Sequence, residues 1–264
     1  MGDNLHVPHE ETKGIVEDTV DGRLDVYIWD MDETLILLKS LLNGMYAEAF
    51  NGLKDAQKGV EIGKMWEKHI LDLCDSHFFY EQGLHNFFDQ EAMKLWDELY
   101  DVTDKYTDRW LSSARAFLEQ CLIGKKDATS SVASAVGALD SPDSNYQQVN
   151  VLVTSGSLIP SLVKCLLFRL DGIITHGNVY SSWEVGKVQC FQWIKERFSC
   201  SNVRFCVIGD GWEECEAAQA MRWPFVKIDL RPGSSHRFPG LTLRTVGYYF
   251  SVVYGSPDAE DDKD

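Results

Sequence analysis

The chain has 264 residues, 44% hydrophobic, 12% aromatic and 25% charged, which suits one compact core with an insertion or two small domains and excludes wholesale disorder and fibrous repeats. Its 41 acidic residues against 25 basic ones leave a net charge of −16, which argues against a phosphate-backbone-binding surface and so against direct nucleic-acid binding. The seven cysteines show no CxxC pair or zinc spacing, no apolar window of about 18 residues occurs, and the N-terminus carries no signal-like apolar run, so the expectation is a reduced, intracellular protein, cytoplasmic or nuclear, without a membrane span.

Residues 1–22 read as a flexible N-terminus. Leu24 to Trp29 is rich in β-formers and ends abruptly in the acidic group Asp30, Asp32 and Glu33, the pattern of a buried strand followed by a loop. From 39 to 145 the spacing turns helical. Trp66, Ile70, Leu73 and His77 recur three or four apart, then Met93, Trp96, Leu99 and Tyr100, then Trp110, Ala114, Phe117, Leu118 and Cys121. The stretch from Gly124 to Tyr146, rich in Ser, Ala, Asp and Gly, reads as the surface connection that closes this helical-bundle insertion. His69, His77 and His85 are eight apart, a poor spacing for one helical ligand face, and are assigned ordinary packing or surface roles.

Beyond the insertion, strands at Val149 to Thr154, Ile173 to His176, Val203 to Ile208 and Phe225 to Ile228 alternate with helices at Leu158 to Leu170, Lys187 to Phe198 and Glu213 to Arg222. This predicts an α/β fold: a three-layer, Rossmann-like core with a parallel sheet, formed by 23–38 and 146–254, with the 39–145 helical bundle inserted after the first strand as a cap. Residues 255–264 form an acidic, flexible tail.

Ligands of open α/β sheets bind at the carboxyl ends of the strands. Three such ends carry polar residues here: Asp30 and Asp32, then Thr154 and Ser155 beside Gly156, then Asp210 between two glycines. Converging carboxylates repel unless a cation intervenes, and Mg²⁺ takes one or two carboxylates together with waters and phosphate oxygens. The pattern suits phosphoryl transfer, with Asp30 as nucleophile and Asp32 as acid and base. Ser155 would hold a phosphate oxygen, Lys187 would neutralise charge, and Glu214 would orient metal waters or Lys187.

Asp30-Met31-Asp32-Glu33-Thr34 resembles the DxDxT motif of the haloacid dehalogenase superfamily, and Ser155, Lys187 and Asp210 with Glu214 stand where its later motifs do. The stretch from Trp29 to Ile36, Ser40 to Gly44, Asp75 to Phe79, Val149 to Pro160 and Val207 to Glu214 are similar to the Eyes Absent family within it, over about residues 24 to 250. That resemblance implies a Mg²⁺-dependent phosphatase of protein phosphotyrosine, with the metal on Asp30, the main-chain carbonyl of Asp32, and Asp210, and with Thr34, Thr154, Gly156 and Glu214 in support. Two features depart from it: Thr154-Ser155-Gly156-Ser157 stands where animal members tend to carry a threonine run, and the long transactivation region of those members is missing, as in a plant member.

Phe78, Phe79, Tyr80, Phe87 and Phe88 are candidates to stack on a phenyl ring, although their helical spacing also suits a core. Two alternatives stand beside the tyrosine phosphatase. One is an interaction or coregulator protein whose helical insertion docks a protein partner, and the other is a small-molecule phosphatase of the same superfamily.

Overall fold

The computed structural model describes residues 23–77, 90–122 and 146–255. The expectations for the two termini, the 124–145 connection, His85 and the five aromatics between Phe78 and Phe88 lie outside the described residues, as does the side chain of His77. Among the described residues no helix is long and apolar enough to cross a membrane.

Strand β1, Arg23–Trp29, is followed by short helices α1, Lys39–Leu42, and α2, Met45–Glu48, and by longer ones α3, Ala56–His77, α4, Gln90–Tyr106, and α5, Trp110–Gln120. The chain then alternates: β2, Tyr146–Thr154; α6, Leu158–Leu167; β3, Val179–Ser181; α7, Lys187–Arg197; β4, Val203–Gly209; α8, Trp212–Met221; β5, Phe225–Lys227; and α9, Leu243–Tyr254. The five strands form one parallel sheet in the order β3-β2-β1-β4-β5, with Ile28 of the central strand opposite Val151 and Val207.

Period-two alternation along β1 divides the core between the two faces. Val26 and Ile28 join Val151, Val153, Phe205 and Val207 beneath α7 and α8. Tyr27 and Trp29 face the other way and share a continuous apolar cluster with α6, α9 and the inserted helices. Here Trp29 meets Phe117 edge-on at 5.7 Å, and its indole N–H donates to Asn150, whose amide donates in turn to the Leu118 carbonyl. The insertion is thus packed directly on the sheet. His69 meets the edge of Trp96, the packing role expected of it.

Two segments differ from expectation. Ile173 to His176 is not a strand: the N–H groups of Ile173 and Ile174 both donate to the Leu170 carbonyl, closing a turn behind α6, and His176–Asn178 is a 3-10 turn. Ile174 is fully buried in that turn, so it carries the apolar signal of a strand without extended backbone. The strand itself is the next three residues, Val179–Ser181, too short to display an alternation. Helix α9 also lacked a sequence signal, because Val, Tyr and Phe dominate it and favour strands. It is fixed by the Thr242 cap and by Phe250 edge-on to Tyr27 at 5.7 Å.

A hydrogen bond from α5 joins the insertion to the loop after β1. The buried indole of Trp110, at the start of α5, donates from Nε1 to the Thr34 carbonyl at 3.1 Å. Trp110→Phe keeps an aromatic ring but removes the N–H and part of the buried bulk, stranding that carbonyl, so denaturant unfolding should show a loss of at least about 1–3 kcal/mol. An unchanged midpoint would mean that the bond contributes nothing.

Candidate active site

Asp30 continues the β1 ladder by donating its N–H to the Ile208 carbonyl at 2.9 Å, which places its carboxyl at the strand's exit. The chain then folds tightly on Met31, whose carbonyl accepts from Leu35 and Ile36, with Glu33 in the left-handed region at φ 65°. This turn brings the buried Thr34 back against Asp30. Its hydroxyl stands 3.2 Å from Asp30 Oδ2 and 3.4 Å from Asp210 Oδ1, so one side chain spans the exits of β1 and β4.

The opposite side of Asp30 is held by Lys187, the first residue of α7, whose Nζ donates to Oδ1 at 2.5 Å. Lys187 also donates to Glu214 Oε1, one turn into α8. A helix N-terminus disfavours a cation, so Lys187 depends on these two carboxylates for its buried position. The close approach needs glycine: a Cβ on Gly209 would lie 2.7 Å from Glu214 Cγ, and one on Gly211 only 2.5 Å from Glu214 Oε2.

Burial pushes the Asp30 carboxyl up to about 6 against the downward pull of Lys187, with Asp210 and Asp32 adding like charge. Burial likewise raises Asp210 and Glu33. Two carboxylates, those of Asp30 and Glu214, bond one ammonium, and that of Asp210 stands across the Thr34 hydroxyl from Asp30. Such a cluster has room electrostatically for a further cation.

The remaining expected residues divide. Asp32 stands in the same loop, but its carboxylate is turned to Lys164 of α6, which donates to both oxygens at 2.7 and 2.9 Å. Ser155 lies on the exposed rim and donates to Glu213 at 2.7 Å rather than facing the buried cluster. Thr154 is buried and accepts the Gly156 N–H at 3.1 Å, which shapes the turn under Ser155. Sequence reasoning missed Lys164, Glu213 and Trp110. Lys164 had a usable signal, being the one charged residue in the apolar helix LIPSLVKCLL.

For a metal, the donor set fits Mg²⁺ in kind. Asp30 and Asp210 supply hard carboxylate oxygens, and Glu214 Oε2 is buried with no hydrogen-bond partner among the described residues, an acceptor suited to a metal-bound water. Among the described residues no three His, Cys, Asp or Glu side chains form a group that could hold a metal ion, so a cation here would draw on fewer carboxylates together with main-chain oxygen or water.

No family model matches the chain. It is similar to Protein phosphatase EYA of Arabidopsis thaliana, 53% identical over 92% of this chain and 95% of that protein. It is also similar to Protein phosphatase EYA2 of Homo sapiens, 28% identical over 77% of this chain and 47% of that protein, so it matches under half of the human relative's length. Among solved structures it resembles a dehalogenase with an intermediate complex, at 11% identity and a TM-score of 0.40, over 88% of this chain and 98% of that one.

The raised carboxyl sets a sign for stability. With a folded value of about 6 against an ordinary 3.8, ionising Asp30 costs the fold nothing below about pH 4 and its full penalty above about pH 6. In metal-free protein, Asp30→Asn should therefore raise the melting temperature at pH 8, by the equivalent of on the order of 2 kcal/mol, with the gap closing toward pH 4. A variant less stable than the native chain at pH 8 would contradict this electrostatic account.

Proposed function

The chain belongs to the Eyes Absent family of protein phosphatases, and from that premise we propose that it is a magnesium-dependent protein tyrosine phosphatase working through an aspartyl-phosphate on Asp30. The observation that carries this reading is the bridge of Thr34 between Asp30 and Asp210, with Lys187 closing the other side of Asp30. It places two hard carboxylates and one ammonium at the exits of neighbouring strands, where a phosphate can be approached.

In this reading Asp30 Oδ2 attacks phosphorus while Lys187 holds Oδ1, so that one oxygen is fixed and the other is presented. Asp32 leaves Lys164, protonates the departing phenolic oxygen, and then takes a proton from the water that cleaves the acyl phosphate. Ser155 exchanges Glu213 for a phosphate oxygen, together with nearby backbone N–H groups. When bound, Mg²⁺ on Asp30, Asp210 and the Asp32 carbonyl supplies positive charge that offsets the phosphate and the attacking carboxylate. Glu214 keeps Lys187 in place and offers Oε2 to a metal water. A phenol, with an unperturbed pKa of about 10, leaves more readily than an alkoxide and asks less of an acid that must first be released from Lys164.

A panel of phosphotyrosine peptides, phosphoserine peptides and sugar phosphates, assayed with and without EDTA, tests the reading. Phosphotyrosine should be preferred, the chelator should abolish turnover, and added Mg²⁺ should restore it. Asp30→Asn should lower kcat by about a thousandfold or more. A preference for sugar phosphates would overturn the substrate, and full activity in chelator would overturn the metal.

A second assay isolates Asp32. Asp32→Asn should slow phenyl phosphate more than p-nitrophenyl phosphate, because the more acidic phenol leaves with less help. Equal losses on the two esters would remove Asp32 from the acid role.

A further inference from the structure

A cavity of about 460 Å³ adjoins the catalytic carboxylates, and the chemistry above does not use it. Asp210 and Glu33 line it together with Lys227, Ser234 and His236, from β5 and the loop that follows, and with Tyr249 of α9. Ser155 follows β2 and Lys227 ends β5, so across the sheet the two flank Asp30 and Asp210, which follow β1 and β4. The cavity is therefore open to whatever part of a substrate lies across Asp210 from Ser155. Its volume is within the range of small-ligand clefts, roughly 300–1,000 Å³, and ample for one side chain of a peptide.

The charges that line it are not equally free. Asp229 is taken up by Arg231, which donates to its two oxygens from Nε and Nη2 and again from the main-chain N–H, at 2.6–3.0 Å. Glu33 accepts the Ser40 N–H at 3.1 Å. Lys227 is exposed and makes no hydrogen bond or ion pair among the described residues, although its charge is near enough to draw both Asp210 and Asp229 toward ionisation. In the loaded site Lys187 and a dication match the carboxylates of Asp30, Asp210 and Glu214 in charge, which leaves Lys227 as a cation with no partner of its own. Beside it the Ser234 hydroxyl accepts the His236 N–H at 3.2 Å and keeps its own proton to donate, and the Tyr249 hydroxyl stands 3.2 Å from His236 Nε2. Ile228 and Leu230 add apolar wall.

A free ammonium, a hydroxyl with a proton to give and a short apolar wall together select an acidic side chain. A carboxylate pairs with the first and accepts from the second, and its methylene stem suits the third. A lysine or arginine there would meet Lys227 as a like charge. This local preference runs against the field of the whole chain, whose net charge of −16 repels acidic peptides from the surface at large. Attraction confined to one place in a peptide is thus the signature of a local cation.

We propose that Lys227 determines specificity by drawing an acidic side chain near the phosphotyrosine of a peptide substrate into the cavity beside Asp210. The inference rests on the phosphotyrosine reading and sharpens it to a class of sequence. Its test is a series of phosphotyrosine peptides in a neutral background, with Glu or Gln at one position at a time, from the third residue before the phosphotyrosine to the third after it. Gln matches Glu in shape, so the Glu/Gln ratio of kcat/KM within one enzyme isolates the charge, and a variant of lowered overall activity still reports. In the native enzyme that ratio should reach about three- to fivefold at one position or two adjacent ones and stay at or below one elsewhere. Lys227→Gln should remove the preference, and Lys227→Glu should make Lys preferred over Gln at the same position. As a readout free of turnover, fluorescence anisotropy of the labelled peptides with Asp30→Asn protein should give the same order of affinities, again erased by Lys227→Gln. A native ratio at or below one at every position, an acidic preference that survives Lys227→Gln, or a charge reversal that leaves Lys disfavoured would overturn the proposal. Failure of the phosphotyrosine reading looks different: there no peptide of the series is turned over, whereas here all are turned over and Glu confers no advantage.

Discussion

The ammonium of Lys187 is the charge around which this site is assembled. It is buried at the wrong end of a helix for a cation and is held there by Asp30 and Glu214, carboxylates from two other segments of the chain. Removing Glu214 would leave that charge on a carboxyl whose ionisation burial itself disfavours, and breaking a buried ion cluster in this way typically costs about 3–5 kcal/mol. An amide at position 30, by contrast, still accepts the Lys187 hydrogen bond. The local backbone is arranged accordingly. Gly209 and Gly211 allow Glu214 to approach, and the left-handed turn at Glu33 returns Thr34 to bridge Asp30 and Asp210. Three carboxylates against one ammonium leave an uncompensated negative charge that matches a divalent cation in sign and size.

The parallel sheet explains how residues so distant in sequence meet. All five strands run the same way, so the loops that follow them leave at one edge, and the loops after β1 and β4 leave side by side because those strands are neighbours. The inserted helices add a second constraint. They share an apolar cluster with one face of the sheet, and the Trp110 indole of α5 and the Ser40 N–H of α1 donate to the Thr34 carbonyl and to Glu33 Oε1, so folding of the insertion and shape of the turn after β1 are coupled. The rim carries a separate layer of information, with Ser155 on Glu213 and Lys227 at the cavity beside Asp210.

Much of this was legible in the sequence because it is carried by short, rule-bound signals. The apolar runs of β1, β2 and β4 announce buried parallel strands, and the acidic residues after β1 and β4 and the hydroxyl residues after β2 mark the exits where chemistry is expected. Asp30, Asp210, Lys187 and Glu214 meet as the spacing implied, since strand order alone brings them together. What was not legible depends on side-chain choice among equal partners. Nothing in the sequence says that Asp32 turns to Lys164, 132 residues away, or that Ser155 turns to Glu213, 58 residues away, because three-dimensional packing decides which distant side chains meet. Ile173 and Ile174 imitate a strand because burial in a turn and burial in a sheet select the same residue type. Helix α9 hides behind β-branched and aromatic residues whose place is set by Tyr27 and Arg204 rather than by local preference.

The claim beneath all of this is that Asp30 and Asp210 share one cation. The direct measurement is a crystal structure of the chain soaked with Mn²⁺, read by anomalous scattering at the manganese edge. The account predicts a single strong peak at about 2.0–2.2 Å from a carboxylate oxygen of each residue. A peak bound to only one of the two, or no peak between them at saturating Mn²⁺, would contradict it.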